Sequence, residues 1–235
     1  MKIEELAYHK TPLGELTLRR RTETLLENRE VFEVKLGDEF LMSSLFTEGE
    51  KALSNLGLKG LEGELEVVVG GLGLGYTAAA ALENKNVRSL LVIDLFQEVI
   101  DWHRKKFVPL GSVLAEDKRC ELRAGDFFEL ARTGFDIFDK ARKFDAVLLD
   151  IDHSPRHFLD EKNKSFYSAG GLNALRKQLK PGGAFALWSN DPSDEDFTNH
   201  LRRQFGAAAA CHVEFANPYT NSISVNSVYV AHNAR

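Results

Sequence analysis

The chain has 235 residues, of which 43% are hydrophobic and 28% are charged, and its formal net charge is −5 at pH 7. This length and composition are typical of one globular α/β unit with a full-sized core. The acidic balance argues against a nucleic-acid partner, because such proteins concentrate lysine and arginine where phosphates bind. No apolar stretch approaches the length of a membrane span, so no membrane partner is expected.

The cysteines and the N-terminal residues favour a cytoplasmic protein. Cys120 and Cys211 lie far apart in the sequence, without the C-x-x-C spacing of a metal or redox site. The N-terminal residues contain no apolar run of the kind found in a signal peptide. We therefore expect reduced thiols and a cytoplasmic location.

The N-terminal part of the chain has the alternating pattern of a small antiparallel sheet. Apolar and polar residues alternate over 13–18 and 31–36, and a turn signal leads into a third extended segment at 36–41. Thr47 and Glu50 have the spacing of a helix capping box, which predicts a helix from there to Leu56 that ends at Gly57. The predicted division is a small β region at 1–46 followed by a larger unit at 47–235.

From residue 65 onward the sequence alternates between strand and helix patterns. Strands are predicted at 65–70, 89–94, 120–123, 145–150 and 183–188, and helices at 76–84, 96–107, 126–132, 165–179 and 193–204. Repeated βα units form a mostly parallel sheet whose ligand lies at the carboxyl ends of the strands. Two final strands, at about 209–215 and 225–231, predict an antiparallel hairpin at the sheet edge. The fold class is therefore α/β and Rossmann-like.

The most informative segment is a glycine-rich loop that follows the first of these strands. Gly71, Gly73 and Gly75 come directly after three valines, and a helix pattern follows at once. Glycines allow a ligand to approach the backbone, and the free N–H groups of the helix point toward it. Asp94 ends the next strand, at the spacing where a carboxylate meets the hydroxyls of a ribose. Glycine clusters also make ordinary turns, but the combination predicts a nucleotide site.

Carboxylates recur at the ends of the following strands. Asp126, after Gly125, is placed either to accept from the amino group of a purine or merely to cap the next helix, and both interpretations stay open. Asp150 ends the most apolar strand of the chain. A carboxylate at the end of a central strand lies over the ligand site, which predicts a catalytic or substrate-orienting role.

Two histidines follow Asp150 and raise the question of a metal site. His153 and His157 are four positions apart, with Asp152 nearby. Pro155 lies between them, however, and disfavours a regular helix that would bring both rings to one face. We expect a surface loop and no metal.

Together, these motifs resemble the spermidine synthase family of aminopropyltransferases. The resemblance rests on the glycine loop, Asp94, the Gly125-Asp126 pair, the strand that ends at Asp150 and the Pro-Gly-Gly turn at 181–183, and it extends over about 11–231. It implies a class I methyltransferase-like sheet after a small β region, with decarboxylated S-adenosylmethionine as donor. By the same resemblance, Asp94 would hold the ribose, Asp126 the adenine amino group, and Asp150 would prepare the attacking amine.

The residues that would bind the amine depart from the family pattern. The acid of the family loop G-G-G-D-G falls on Leu74, and the second acid of D-x-x-D falls on His153, with an acid at Asp152 instead. The acid that follows the fifth strand is displaced to Asp191. A polyamine needs several carboxylates to replace its water, so these changes predict a changed acceptor. The candidate substrate residues are Tyr76, Asp152, His153, Trp188, Asp191 and Tyr219.

The predicted function is alkyl transfer from an adenosyl sulfonium, decarboxylated S-adenosylmethionine or S-adenosylmethionine, to a small-molecule amine. The sulfonium carbons are already activated, so the protein has to align a nucleophile and remove its proton. Two alternatives stay open: a methyltransferase, since Leu74 removes an acid that would repel the donor carboxylate, and a non-catalytic adenosyl-ligand-binding protein. The sequence does not determine the oligomeric state, and a homodimer is carried as an expectation.

Overall fold

Two β-sheets organise the chain in a computed structural model that describes residues 3–234. The first sheet is antiparallel, with its strands in chain order: β1 (Ile3–Thr11), β2 (Gly14–Glu23), β3 (Arg29–Leu36) and β4 (Glu39–Ser43). Leu16 and Leu18 of β2 and Val34 of β3 are almost completely buried. Alternation in these strands turns one face toward the rest of the protein. The small N-terminal antiparallel sheet is therefore present.

The strand β1 is absent from the sequence-based prediction. Its nine residues are mostly polar, and most of them are exposed or only partly buried. It pairs with β2 alone, and its register shifts between Glu5 and Ala7. An edge strand of this kind buries little apolar surface, so its sequence lacks the alternation by which strands are recognised.

The second sheet has seven strands: β5 (Leu65–Gly70), β6 (Val87–Asp94), β7 (Cys120–Ala124), β8 (Phe144–Leu149), β9 (Leu179–Ser189), β10 (Gly206–Asn217) and β11 (Ser222–Asn233). Their spatial order is β10-β11-β9-β8-β5-β6-β7. The five strands from β5 to β9 pair in parallel, and β11 and β10 add an antiparallel hairpin. This confirms the predicted α/β class. The chain order reverses at β5, which makes the edge beside its carboxyl end a natural ligand site.

Helices cover both faces of this sheet. They are α1 (Glu48–Gly57), α2 (Tyr76–Glu83), α3 (Gln97–Arg104), α4 (Gly111–Glu116), α5 (Phe127–Thr133), α6 (Ala169–Arg176) and α7 (Glu195–Phe205), with short 3-10 turns at Thr24–Leu26 and Glu161–Ser165. Helices α1 to α4 and the N-terminal sheet share one apolar cluster, and α5 to α7 share the other. Alternation in β5 separates the two, since Val67 and Val69 lie in the first cluster and Val68 lies in the second.

Three helix predictions need correction. The helix expected over 96–107 ends at Arg104, because the chain turns through a positive φ of 60° at Lys106, and α4 follows as a separate helix. The helix expected over 165–179 spans only α6, whose first turn is capped by Ser168. The capping box was also wrong, since the side chain of Thr47 caps nothing, and its backbone N–H donates instead to the carboxylate of Glu48.

The structure also bears on the predictions for the cysteines, for membrane spans and for the division of the chain. Cys120 and Cys211 are both free. Among residues 3–234, no helix combines the length and apolar character needed to cross a bilayer. The division at 46/47 stays a prediction, and its outermost residues, 1–2 and 235, lie outside the described chain.

Candidate functional site

A large cavity opens at the carboxyl ends of β5, β6 and β8. It contains about 1120 Å³ of empty space, part of which is open to solvent. Its walls come from the loops that follow these strands, from the first turn of α1 and from β3 and β4 of the N-terminal sheet. This is the edge of the sheet where the strand patterns placed a ligand.

The glycine loop forms one wall of the cavity. Gly71 and Gly73 line it and have positive φ angles of 92° and 48°. A Cβ at Gly71 would collide with the backbone oxygen of Asp150, and one at Gly73 would collide with the sulfur of Met42. Gly75 has a φ of 93° but packs against Leu114 and His103 instead of lining the cavity. The loop therefore brings its first two glycines to the ligand side, and the third starts α2.

Asp94 lies at the end of β6 and lines the same cavity. Its two carboxylate oxygens accept from the backbone N–H groups of Leu72 and Phe96, each at 2.9 Å. Burial raises its pKa above the ordinary value, against the effect of these donors. Gly125 donates to the backbone oxygen of Asp94 and does not line the cavity. Each carboxylate oxygen can accept a further hydrogen bond, so Asp94 can hold the loop and a ligand together.

Asp126 caps a helix and also lines the cavity. One carboxylate oxygen accepts from the backbone N–H groups of Phe128 and Glu129, in the first turn of α5. The other lies 3.7 Å from the ammonium of Lys162, a second cavity residue. The two interpretations of Asp126 are thus compatible, since the cap uses one oxygen and leaves the other beside the cavity.

Asp150 follows β8 directly and is held in place by two hydrogen bonds. Its backbone N–H donates to Gly70 at 2.8 Å, and its carboxylate accepts from the hydroxyl of Thr77 at 2.5 Å. Burial is the main cause that raises the pKa of Asp150 to about 6. A carboxylate with a raised pKa is a better proton acceptor than an ordinary aspartate.

Glu50 is a cavity residue that the sequence analysis did not identify as part of the site. It lies in the first turn of α1, and its backbone carbonyl oxygen lies 3.4 Å from the Thr77 hydroxyl that bonds Asp150. Burial and the nearby charge of Asp150 raise the pKa of Glu50 to about 8. The capping-box pattern had assigned this side chain to the helix start, and no other sequence signal distinguishes it. Its carboxyl instead faces the same cavity as Asp150.

Three of the candidate substrate residues line the cavity: Tyr76, His153 and Trp188. The indole N–H of Trp188 is buried without a hydrogen-bond partner, and a Cβ at Gly49 would collide with it. The ammonium of Lys51 lies 5.7 Å from the ring centre of Tyr76. The imidazole of His153 lies 3.6 Å from the carboxylate of Glu39, so β4 reaches the loop that carries Asp150.

The other candidate substrate residues lie outside the cavity. Asp152 is completely buried and accepts hydrogen bonds from Leu159, Asn163 and Tyr167. Asp191 contacts the imidazole of His157 at 3.0 Å. Tyr219 lies at the tip of the β10–β11 hairpin, where its hydroxyl donates to Glu23 and accepts from Arg21. These three side chains are not placed to contact a ligand in this cavity.

Leu74 does not lie in the ligand-contacting position that the resemblance of the glycine loop assigned to it. Its side chain is completely buried in the apolar cluster below the loop and does not line the cavity. Leu74 therefore gives no information about the charge of the donor. A buried histidine, His103, supports the loop from the same side, because its Nε2 lies 3.0 Å from the backbone oxygen of Gly73.

The histidine loop has no arrangement of ligands suited to a metal. Within residues 3–234, no group of three or more histidine, cysteine, aspartate or glutamate side chains is close enough to bind one ion. His153 and His157 instead face separate carboxylates, those of Glu39 and Asp191.

Comparison with known proteins gives matches to polyamine aminopropyltransferases. Polyamine aminopropyltransferases of Nitrosomonas europaea and Saccharolobus islandicus are 32% and 26% identical to this chain over 126 and 127 residues, in each case 54% of the chain. These alignments cover 35% and 39% of the two relatives, so the chain spans little more than a third of their length.

Solved structures share the fold over nearly the whole chain. Spermidine synthase from Thermotoga maritima matches with a TM-score of 0.72 and 17% identity, over 98% of this chain and 72% of that one. A spermidine synthase in complex with the transition-state analogue AdoDATO matches with a TM-score of 0.73 and 18% identity, over 98% and 74%. The family model for the spermine/spermidine synthase domain matches residues 50–223. Because that match covers most of the chain, the protein belongs to the spermine/spermidine synthase domain family.

Proposed function

We propose that this protein transfers an aminopropyl group from decarboxylated S-adenosylmethionine to a small amine. The observation that carries the proposal is that Asp94, Asp126 and Asp150 meet in one cavity beside the glycine loop. Membership of the family supports the same chemistry. Methyl transfer and a purely ligand-binding role, the two alternatives from the sequence, are not favoured by that membership.

The nucleotide of the donor would lie between the ends of β5, β6 and β7. The free lone pairs of Asp94 would accept from the ribose hydroxyls, and Asp126 would accept from the adenine amino group. Gly71 and Gly73 line the cavity, where glycine lets the backbone approach a ligand closely. Leu95 and Phe128 add apolar surface on this side of the cavity.

The transfer itself is a displacement at carbon. The amine nitrogen attacks the carbon of the aminopropyl group that is bonded to sulfur, and the C–S bond breaks as the C–N bond forms. The electron pair of the C–S bond stays on sulfur, so methylthioadenosine leaves as a neutral thioether. The acceptor arrives mostly as an ammonium, with a pKa of about 10, and must lose a proton. In this proposal Asp150 receives it, which is supported by the pKa of about 6 that burial gives its carboxyl and by the hydrogen bond from Thr77.

The variant Asp150→Asn tests the proposal. We expect it to fold and to bind methylthioadenosine like the parent, but to lose most of its turnover, measured by mass spectrometry of the product. General base catalysis contributes about 10²–10⁴-fold, which sets the expected loss. Asp191→Asn is the matched control, because Asp191 lies outside the cavity. Turnover of Asp150→Asn within a few-fold of the parent would contradict the proposal.

We also propose that the protein is cytoplasmic, that it forms a homodimer and that the chain divides near residue 46. A cytoplasmic location is tested by cell fractionation, and a homodimer by analytical ultracentrifugation. Limited proteolysis tests the division near residue 46, where a cut that leaves 47–235 folded would support two separable units.

A further inference from the structure

Two carboxyl groups of the cavity, those of Glu50 and Asp150, have no ion-pair partner within residues 3–234 and are not held by the backbone N–H groups of other residues there. Asp126 and Asp160 face the ammonium of Lys162, and Asp94 accepts from two backbone N–H groups. Among the cavity acids of the described chain, Glu50, Asp94 and Asp150 have no ion-pair partner, and of these three only Asp94 accepts from a backbone N–H of another residue on each carboxylate oxygen. Two carboxyls that line one cavity, close enough for the charge of Asp150 to act on Glu50, form a site that a cation would stabilise.

The proposed reaction brings two ammonium groups into this cavity. Decarboxylated S-adenosylmethionine has one at the end of its aminopropyl chain, and the acceptor arrives with another. Each ammonium that leaves water needs a charged partner. Asp150 is the candidate proton acceptor for the attacking amine. The ammonium of the donor would therefore pair with the other carboxylate, that of Glu50.

A third ammonium would have no comparable partner. Asp152, the next acid after Asp150, is completely buried and already accepts three hydrogen bonds. The wall that the N-terminal sheet contributes is mostly apolar, and Met42 lies directly against Gly73. This wall consists of Leu13, Val34, Leu36, Leu41 and Met42. A diamine acceptor would place its far ammonium against hydrocarbon.

We propose that Glu50 binds the aminopropyl ammonium of the donor and that the acceptor is a primary monoamine with an apolar body. The inference rests on the proposed aminopropyl transfer and specifies its substrate. In this proposal Glu50 binds the donor from α1, and the apolar wall of the N-terminal sheet selects the acceptor.

Donor binding by Glu50→Gln tests the first part of the inference. Isothermal titration should show decarboxylated S-adenosylmethionine bound about 10- to 100-fold more weakly, since hydrogen bonds between charged groups have that magnitude. Methylthioadenosine lacks the aminopropyl group, so its affinity should change by less than about twofold. Glu48→Gln is the control, because Glu48 is exposed on the same helical turn. An unchanged donor affinity, or an equal loss for both ligands, would overturn the assignment of Glu50.

An amine panel tests the second part. Butylamine and hexylamine should each have a kcat/KM at least about tenfold above that of the diamine with the same carbon chain, because the far ammonium loses its water without a partner. A diamine that equals or exceeds its monoamine would overturn the acceptor class while leaving aminopropyl transfer intact. If no amine releases methylthioadenosine and the parent does not bind the decarboxylated donor, the proposed function fails and this inference fails with it.

Discussion

Glu50→Gln should make the folded protein more stable near neutral pH. Burial and the charge of Asp150 raise the pKa of Glu50 from 4.5 to about 8 in the folded state. At intermediate pH the unfolded chain has an ionised Glu50, whereas the folded chain keeps the proton. The folded state therefore binds more protons, and its stability falls as the pH rises from about 4.5 to about 8. Glutamine removes this penalty because it does not ionise.

The size of the effect follows from the same shift. For an isolated group, the shift corresponds to an unfolding free energy lower by about 3 kcal/mol at neutral pH. Glu50 is only partly buried and shares its environment with Asp150, so solvent screening reduces this limit, and we expect about 1–2 kcal/mol. For a chain of this size, that corresponds to a rise in Tm of about 2–8 °C.

Thermal unfolding at about pH 8 and about pH 5 provides the assay. The gain from Glu50→Gln should be largest at the higher pH and several-fold smaller at the lower, because near pH 5 Glu50 also keeps its proton in part of the unfolded chains. The titratable groups that interact with Glu50 are Asp150, Glu48, Lys51 and Tyr76, and the parent and the Glu50→Gln variant share all four. Glu48→Gln, as the exposed control, should shift Tm little. A Glu50→Gln protein that melts no higher than the parent at about pH 8, or gains equally at both pH values, would refute the reasoning.

Three further predictions concern the loop and its supports. Asp94→Ala should lose most of the Tm rise that methylthioadenosine gives the parent, because the ribose loses a charged acceptor; a retained rise would contradict the ribose assignment. Leu74→Asp should reduce the unfolding free energy in urea by at least about 3 kcal/mol, since it places an unpaired charge in the core; a stable variant with a tighter donor would contradict this. Burial lowers the pKa of His103 to about 4 in the folded chain. As the pH falls below about 6.5, the unfolded chain therefore binds a proton at His103 before the folded chain does. The free energy of unfolding should decrease by about 2 kcal/mol between about pH 7 and pH 5. His103→Gln should remove that part of the pH dependence, seen as the difference from the parent in urea melts.

The strand ends of the large sheet could be predicted from the sequence because they depend on local patterns. Apolar runs define parallel strands, and parallel strands align their carboxyl ends at one edge. This is sufficient to bring Asp94, Asp126 and Asp150 to one cavity, as the sequence indicated. The positions of these backbone segments follow from periodicity, without any knowledge of individual side-chain contacts.

Side-chain direction outside the regular strands could not be predicted in the same way. Asp152 and Leu74 are each next in sequence to a cavity residue, yet both side chains are completely buried away from the cavity. Glu50 was assigned to a cap that does not form, and instead it faces Asp150. In a loop, direction depends on which hydrogen-bond partners are available, such as the three donors around Asp152, which come from the irregular segment that follows it and have no periodic pattern.

The position of the acids is the basis of the acceptor class that we propose. An acid that is fully hydrogen-bonded within the protein, such as Asp152, stabilises the fold and offers little to a ligand. Glu50 and Asp150 differ from Asp152 because both line the cavity without an ion-pair partner among the described residues, and burial makes the charge of each costly. A cation that binds between the two carboxylates removes this cost. The charges that lower the stability of the fold therefore increase the affinity for the cation. The number of such unrelieved carboxyls therefore limits how many ammonium groups the cavity can take, and two carboxyls match one donor and one monoamine.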